Sequence, residues 1–225
     1  MAMHTRELQK LTESLKKAPP LIGSLRHRHA AVLLPLIENN GDYHLLFEER
    51  APDIPQGSEI CFPGGEFDDA SDSTPLATAI RETSEELGLP PGKIEVIGQL
   101  GTIMALRSLI VDCFVGLLRI RNISELTIDS REVARLFTLP VAWFCGHPPE
   151  HYPIRMEMQA EVIEPDGTAR TLFPARELGL PKRYWTSWSG GTHTTPVYRT
   201  PEGVIWGLTG QMVEELTGRL PSPPA

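Results

Sequence analysis

A chain of 225 residues with 40% hydrophobic and 22% charged residues has ordinary globular usage, which excludes a disordered or fibrous polymer. Lys plus Arg number 21 against 29 Asp plus Glu, a net charge of -8, so the basic face needed to hold DNA or RNA is missing. The 21 prolines, against a usual ~5% of residues, predict a loop-rich fold with well-punctuated strands rather than a helical bundle.

In chain order, Leu8, Leu11 and Leu15 recur at helical spacing and predict a short amphipathic helix over about residues 5–18, stopped by Pro19-Pro20. Two apolar segments follow, Ala30 to Ile37 and Tyr43 to Phe47, separated by E-N-N-G-D, which reads as a hairpin turn. From Ala51 to Ser73 the chain is irregular and holds Pro52, Pro55, Gly57, Pro63, Gly64 and Gly65. So long a loop in a compact domain is usually functional. Thr74 to Leu87 reads as a helix, with Pro75 near its start and Gly88 directly after its end. Ile94 to Leu100 and Leu109 to Ile120 are predicted strands. Met156 to Ile163 and Ala169 to Phe173 flank E-P-D-G and predict a second hairpin. Val204 to Leu220 has the apolar spacing of a closing helix, and residues 221–225 form a frayed Pro-rich tail. With no internal repeat or linker, one α+β domain over residues 1–225 is expected.

The longest apolar run, Ala30 to Ile37, is eight residues with Pro35 inside it, far short of the ~20 needed to span a bilayer. No apolar signal core follows the first residues. Cys61, Cys113 and Cys145 are odd in number and widely spaced, which fits a reducing compartment. A cytoplasmic location is expected, with an organellar one left open.

Charge is concentrated in one place. Between Gly64 and Gly88 stand seven acids (Glu66, Asp68, Asp69, Asp72, Glu82, Glu85, Glu86) and a single base, Arg81. A solvated acidic helix face is the plain explanation of such a run. The spacing argues for more: Glu82 and Glu86 are four apart and share a helix face, with Glu85 beside them. Three carboxylates converging there make a hard-oxygen site for Mg²⁺ or Mn²⁺, suited to chemistry on phosphates. Arg81, four residues before Glu85, is placed to orient a carboxylate.

These residues carry a resemblance. R-E-T-S-E-E-L-G-L, Arg81 to Leu89, resembles the second half of the Nudix box, R-E-U-x-E-E-x-G-U with U bulky and apolar, and Gly64-Gly65 lie upstream of it. Thr83 stands at the first U. The early Glu of the family's pattern falls on Ser73, because the loop is two residues longer here, and Asp72 is the nearest acid. L-L-F-E-E-R-A (Leu45 to Ala51), Gly57 and C-F-P-G-G (Cys61 to Gly65) are similar to the segment before the box in coenzyme A pyrophosphatases of that superfamily. F-T-L-P-V (Phe137 to Val141) and G-V-I-W-G-L-T-G (Gly203 to Gly210), read as opening the last helix, look like the same subgroup. That subgroup's basic residue between the Ala and Gly positions has no counterpart in Pro52 to Gln56.

The resemblance implies a Nudix-type α/β/α sandwich with a mixed β-sheet, in which the box, about residues 64–89, forms a loop–helix–loop. It implies hydrolysis of a nucleoside diphosphate linked to another moiety, most closely coenzyme A or its derivatives, to 3′,5′-ADP and 4′-phosphopantetheine. Glu82, Glu85 and Glu86 would hold the metal; Glu86, Glu85 and Arg81 would serve catalysis. Arg50, Gly64 and Gly65 would contact the substrate, with Arg26 and Arg28 as further cations for a 3′-phosphate. A general base outside the box could be Glu125, Glu132, Glu157 or Glu161. The expected partner is a small nucleotide, with neither nucleic acid nor membrane, and a homodimer is left open. The alternatives are a hydrolase of ADP-ribose or a dinucleotide, and a nucleotide-binding module without turnover, in which the missing early Glu marks a degenerate box.

Other constellations carry less. G-L-P-P-G-K (Gly88 to Lys93) has three residues between its glycines and Ile94 where a phosphate loop needs Ser or Thr. His27-x-His29 and His147 with His151 have metal-like spacing without a nearby third ligand, so structural or surface roles are expected. No G-x-S-x-G elbow exists. Trp185, Trp188 and Trp206 read as core aromatics before adenine stackers, and Cys61 as a small hydrophobe before a nucleophile.

Overall fold

The computed structural model describes Gly23, residues 26–105 and residues 108–220. The helix expected over residues 5–18 and the tail at 221–225 lie outside the described residues. The first elements are β1 (Arg28–Asn39), β2 (Asp42–Arg50), β3 (Ile60–Cys61), β4 (Gly64–Glu66) and α1 (Pro75–Leu87). β5 (Ile94–Ala105), β6 (Leu109–Leu118), β7 (Val133–Pro140) and α2 (Val141–Gly146) follow. The last are β8 (Glu150–Met158), β9 (Glu161–Ile163), β10 (Ala169–Thr171), β11 (Trp188–Thr200), β12 (Gly203–Trp206) and α3 (Gly207–Gly218). They fall into two compact units, one of Met1–Glu38 with Phe62–Asp129, the other of Asn39–Cys61 with Ser130–Ala225.

In the first unit β6 runs parallel to β1, Ala31 beside Asp112, and antiparallel to β5. β4 pairs antiparallel with β1, Gly65 opposite Ala31, so this sheet is mixed. β6 is buried everywhere except Leu109 and Asp112, the near-continuous apolar run of a strand covered on both faces. Helix α1 packs against β4 and β6. Its ends are set by sequence. Thr74 is extended and its hydroxyl accepts the Ala77 N–H at 3.2 Å, a cap that contributes about 1 kcal/mol. Pro75 occupies the first turn, where its missing N–H costs nothing. Gly88, at φ 59°, turns left-handed and donates its N–H to the Ser84 carbonyl.

In the second unit β2 pairs antiparallel with both β3 and β7. Phe47 stacks on Phe137 at 5.5 Å and meets Phe144 of α2, which in turn meets Tyr198 edge-on at 5.2 Å. Leu45, Leu46, Val133, Ile205 and Val213 complete that core. β11 lies between β8 and β12, and β9 with β10 forms a separate hairpin. α3 presses close on β11: a side chain at Gly210 would meet the Pro196 carbonyl at 2.9 Å.

The architecture is α+β, as expected, with a helix flanked by loops after β4. Three local readings need correction. The irregular stretch after Ala51 contains β3 and β4, because short pairings to β2 and β1 organise it. Met156–Ile163 is not one strand: Met156–Met158 ends β8, and the E-P-D-G hairpin starts only at Glu161. Gly203–Trp206 is a strand paired with β11, and the last helix starts at Gly207. β7, β11 and α2 were not anticipated. Among the described residues no helix is long and apolar enough to cross a membrane.

Candidate active site

Chemistry gathers in the first unit, where the Phe67–Ser73 loop and α1 meet β4. Asp68 folds that loop: its carboxylate accepts from the Ala70 N–H and the Ser71 hydroxyl, and its carbonyl from the Asp72 N–H. This turn delivers Asp72 to the helix. The Asp72 side chain is 1% exposed and held in a fork by Arg81, Nε to Oδ1 and Nη2 to Oδ2, both at 2.9 Å. The Thr78 hydroxyl and the Asp68 N–H also donate to Oδ2, at 2.9 and 3.1 Å. The Arg81 guanidinium, ahead of the Asp68 N–H and Thr78 hydroxyl and against the effect of burial, holds the Asp72 carboxyl well below the usual range. Asp72 in turn, with Glu82, raises Arg81 further above its already high value.

Arg81 is the hub of the site. Its Nη1 lies 2.8 Å from Glu82 Oε1 and 3.2 Å from Glu85 Oε2, while Nη2 reaches the Glu66 carbonyl at 3.4 Å. The Glu85 side chain is 62% exposed. Glu86 is only 3% exposed and accepts the Gly64 N–H on Oε2 at 3.0 Å. Thr83 is buried beneath them, its hydroxyl donated to the Ala79 carbonyl at 2.6 Å. A threonine therefore serves where a bulky apolar residue was expected, since its one polar atom is satisfied inside its own helix.

The two glycines before the loop are fixed by contact. A Cβ on Gly64 would stand 2.4 Å from the Ala31 carbonyl oxygen, and one on Gly65 would stand 2.3 Å from the Glu82 carboxyl. Gly64 thus lets β4 lie flat on β1 with its N–H turned to Glu86. Gly65 leaves room for the Glu82 carboxylate. Gly64→Ala is expected to cost at least about 2 kcal/mol, because a backbone strand must yield. Gly65→Ala displaces only the end of one side chain and should cost much less; thermal unfolding of the two variants checks the order.

Arg81, Glu82, Glu85, Glu86, Gly64 and Gly65 come together in the first unit. Arg50 ends β2 in the second, its Nε donating to the Pro55 carbonyl at 3.2 Å. Arg28 is paired with Glu66 across β1 and β4. Glu125 caps a short turn, its Oε1 accepting from Arg121 and Asn122 N–H groups, which commits it to structure. Glu132, Glu157 and Glu161 belong to the second unit. Ser73 and Asp69 are exposed. The Asp72–Arg81 fork was missed by spacing arguments on the helix alone; its signal was an acid in the loop on the turn preceding the N-cap.

Among the described residues no three His, Cys, Asp or Glu side chains are gathered as a ready metal-binding group. Glu82 and Glu85 turn to Arg81, and Glu86 to Gly64. The donor set nonetheless fits a hard divalent cation: carboxylate oxygens alone, on one helix face, beside a glycine without a side chain. Three of the histidines at metal-like spacing have protein partners: His27 on the Gly23 carbonyl, His147 on the Trp143 carbonyl, His151 on Glu214. Cys61 donates its thiol to Glu48 Oε1 at 3.2 Å, and burial pushes the Cys113 thiol up to about 12. Trp185 donates to the Leu180 carbonyl beneath Arg176.

Residues 27–156 match the NUDIX domain family. A relative from Photorhabdus laumondii, described as the uncharacterized Nudix hydrolase NudL, is 30% identical over 200 residues, 88% of either chain. The Escherichia coli K12 protein of the same description is 26% identical over 193 residues, 86% of this chain and 83% of the relative. Among solved structures, the Nudix hydrolase RenU of M. smegmatis superposes with a TM-score of 0.44 at 23% identity, covering 55% of this chain and 78% of its own. The NUDIX domain of Shewanella oneidensis NrtR, crystallised with ADP-ribose, gives 0.43 at 19% identity, covering 61% of this chain and 87% of its own.

Proposed function

The chain belongs to the Nudix hydrolases, and from that premise we propose that it splits the diphosphate of coenzyme A or its derivatives, using Mg²⁺ or Mn²⁺, as a single catalytic domain. The broader activity, a pyrophosphohydrolase of nucleoside diphosphate derivatives, is that of the family. The observation that supports turnover in this chain is the helix α1 cluster, with Glu82 and Glu85 on Arg81 and Glu86 on the Gly64 N–H. Glu82, Glu85 and Glu86 are assigned to the metal. A bound divalent cation would supply charge neutralisation at the diphosphate and polarisation of the attacking water.

The residues of the chain do the rest. Asp72 locks Arg81 at one end, and Arg81 sets the directions of Glu82 and Glu85 at the other. Glu86, with Glu85 preceding it, is assigned as acceptor of the water's proton. Gly64 and Gly65 bring backbone, not side chain, to the place where phosphate oxygens would lie. The coenzyme A preference rests on the resemblance of Leu45–Ala51, C-F-P-G-G and G-V-I-W-G-L-T-G to that subgroup. Arg26, in the same unit as the box, is the cation proposed for the 3′-phosphate, because Arg28 is already paired with Glu66 and Arg50 belongs to the second unit.

The deciding experiment compares coenzyme A, dephospho-coenzyme A, ADP-ribose and diadenosine polyphosphates, with the products identified by mass spectrometry. Coenzyme A should yield 3′,5′-ADP and 4′-phosphopantetheine with the highest kcat/KM, and dephospho-coenzyme A should be poorer. Loss of one charge-assisted hydrogen bond to the 3′-phosphate corresponds to about 10- to 150-fold. A higher kcat/KM on ADP-ribose or a dinucleotide would reject the subgroup and leave the family chemistry standing. Excess chelator should abolish turnover, with Mg²⁺ or Mn²⁺ restoring it; full activity in chelator would reject the metal.

A further inference from the structure

Among the described residues β8 is the open edge of the three-stranded sheet in the second unit, paired with β11 and with no strand beyond it. Of its nine residues all but Met156 are exposed, and Met156 is only half-buried. An edge of this length, two strands thick at its far end and touched by α3 only near its start, where His151 meets Glu214, is a template for another strand. Tyr152, Ile154, Met156 and Met158 alternate along it, so they share one face, next to Trp188 opposite Met158. Arg155 and Glu157 lie on the other face, and neither forms an ion pair among the described residues.

The order of these residues is self-complementary. In I-R-M-E-M, Ile154 to Met158, an antiparallel copy centred on Met156 places Arg155 opposite Glu157 of the second chain, and Glu157 opposite its Arg155. The same register sets Ile154 against Met158 twice and Met156 against itself. Opposite charges and apolar groups directly across from each other are the pairs that stabilise antiparallel strands. Pro153 sets the alternation, since a proline sits in a paired strand with its nitrogen on the open side, and its missing N–H ends any further ladder there. Period-two alternation then turns the N–H and C=O of Arg155 and Glu157 to that open side, where a second strand would bond them. We propose that two copies of this chain associate through β8, antiparallel about Met156, into a symmetric dimer with a continuous sheet across the two-fold.

Five paired residues bury less than the area of a permanent dimer, so association should depend on concentration and weaken with salt. Sedimentation equilibrium of the full chain and three variants tests the register. Arg155→Glu alone sets two acids opposite two acids, and Glu157→Arg alone sets two bases opposite two bases; each should raise the dimer Kd about 10-fold or more. Arg155→Glu combined with Glu157→Arg restores opposite charges and should return the Kd to near the starting value. Circular dichroism of each variant establishes that it is folded, and rescue by the double variant does not depend on either single one behaving well. A chain that stays monomeric across the concentration series overturns the proposal, as does a dimer indifferent to both single changes or a double variant no tighter than the singles.

Discussion

Glu86→Gln should lower kcat by about 10²-fold or more while the fold survives, a size typical of losing a positioned acid–base group. Burial and contact both argue for it. Glu86 is 3% exposed as a residue and is anchored by the Gly64 N–H at 3.0 Å. An amide has the same shape, and its oxygen still accepts that N–H, so β4 and α1 keep their junction. What disappears is the negative charge, and with it both the affinity for a cation and the ability to take a proton. Glu85→Gln, at a side chain 62% exposed, should cost less than Glu86→Gln, because solvent and a mobile carboxylate can compensate. Single-turnover rates with saturating metal, beside thermal melts, separate chemistry from stability. A Glu86→Gln enzyme with near-normal kcat would move the proton acceptor to another residue.

The parts of the fold that sequence made legible are those decided within a few residues. Thr74, Pro75 and Gly88 act on their own helix turn, so both ends of α1 could be placed without knowing the sheet. The spacing of Glu82, Glu85 and Glu86 likewise brought three carboxylates to one region of one helix. β11 shows the opposite case. W-S-G-G-T-H-T-T-P-V-Y-R-T has two glycines, a proline and little alternation, and it is a strand because β8 and β12 pair with it. Gly203–Trp206 was absorbed into the following helix for the same reason: its state is set by β11, which is not local. In the site, helical spacing told which acids were neighbours but not where each carboxylate turns. Arg81 and the Gly64 N–H decide that, one from the same helix and one from β4.

Asp72→Asn is expected to be the more informative change at the loop, and Ser73→Ala to have almost no effect, since Ser73 is exposed. Although Ser73 falls where the family's pattern has its early Glu, the acid one residue earlier makes the structural contact. Removing its charge leaves Arg81 to Glu82, Glu85 and the Glu66 carbonyl, without the charged fork that fixes its Nε and Nη2. Arg81 is partly exposed, so the stability cost should be about 1–3 kcal/mol, less than for a fully buried pair. The activity loss should be about 10-fold or more, from misdirected carboxylates, a geometric error of the kind to which catalysis is sensitive. It should appear as a higher metal concentration for half-activation. The pH dependence gives an independent check, and its sign is fixed. The Asp72 carboxyl titrates far below an unfolded aspartate, whose pKa is about 3.9. Its contribution is therefore complete above that value and is lost as pH falls toward the folded pKa. The stability gap between the native chain and Asp72→Asn, measured by denaturant unfolding, should be constant from pH 7 to about 5 and narrow below about 4. A gap that stays constant into strong acid, or Ser73→Ala weakening metal activation more than Asp72→Asn, would mean that Asp72 does not hold Arg81 in the working enzyme.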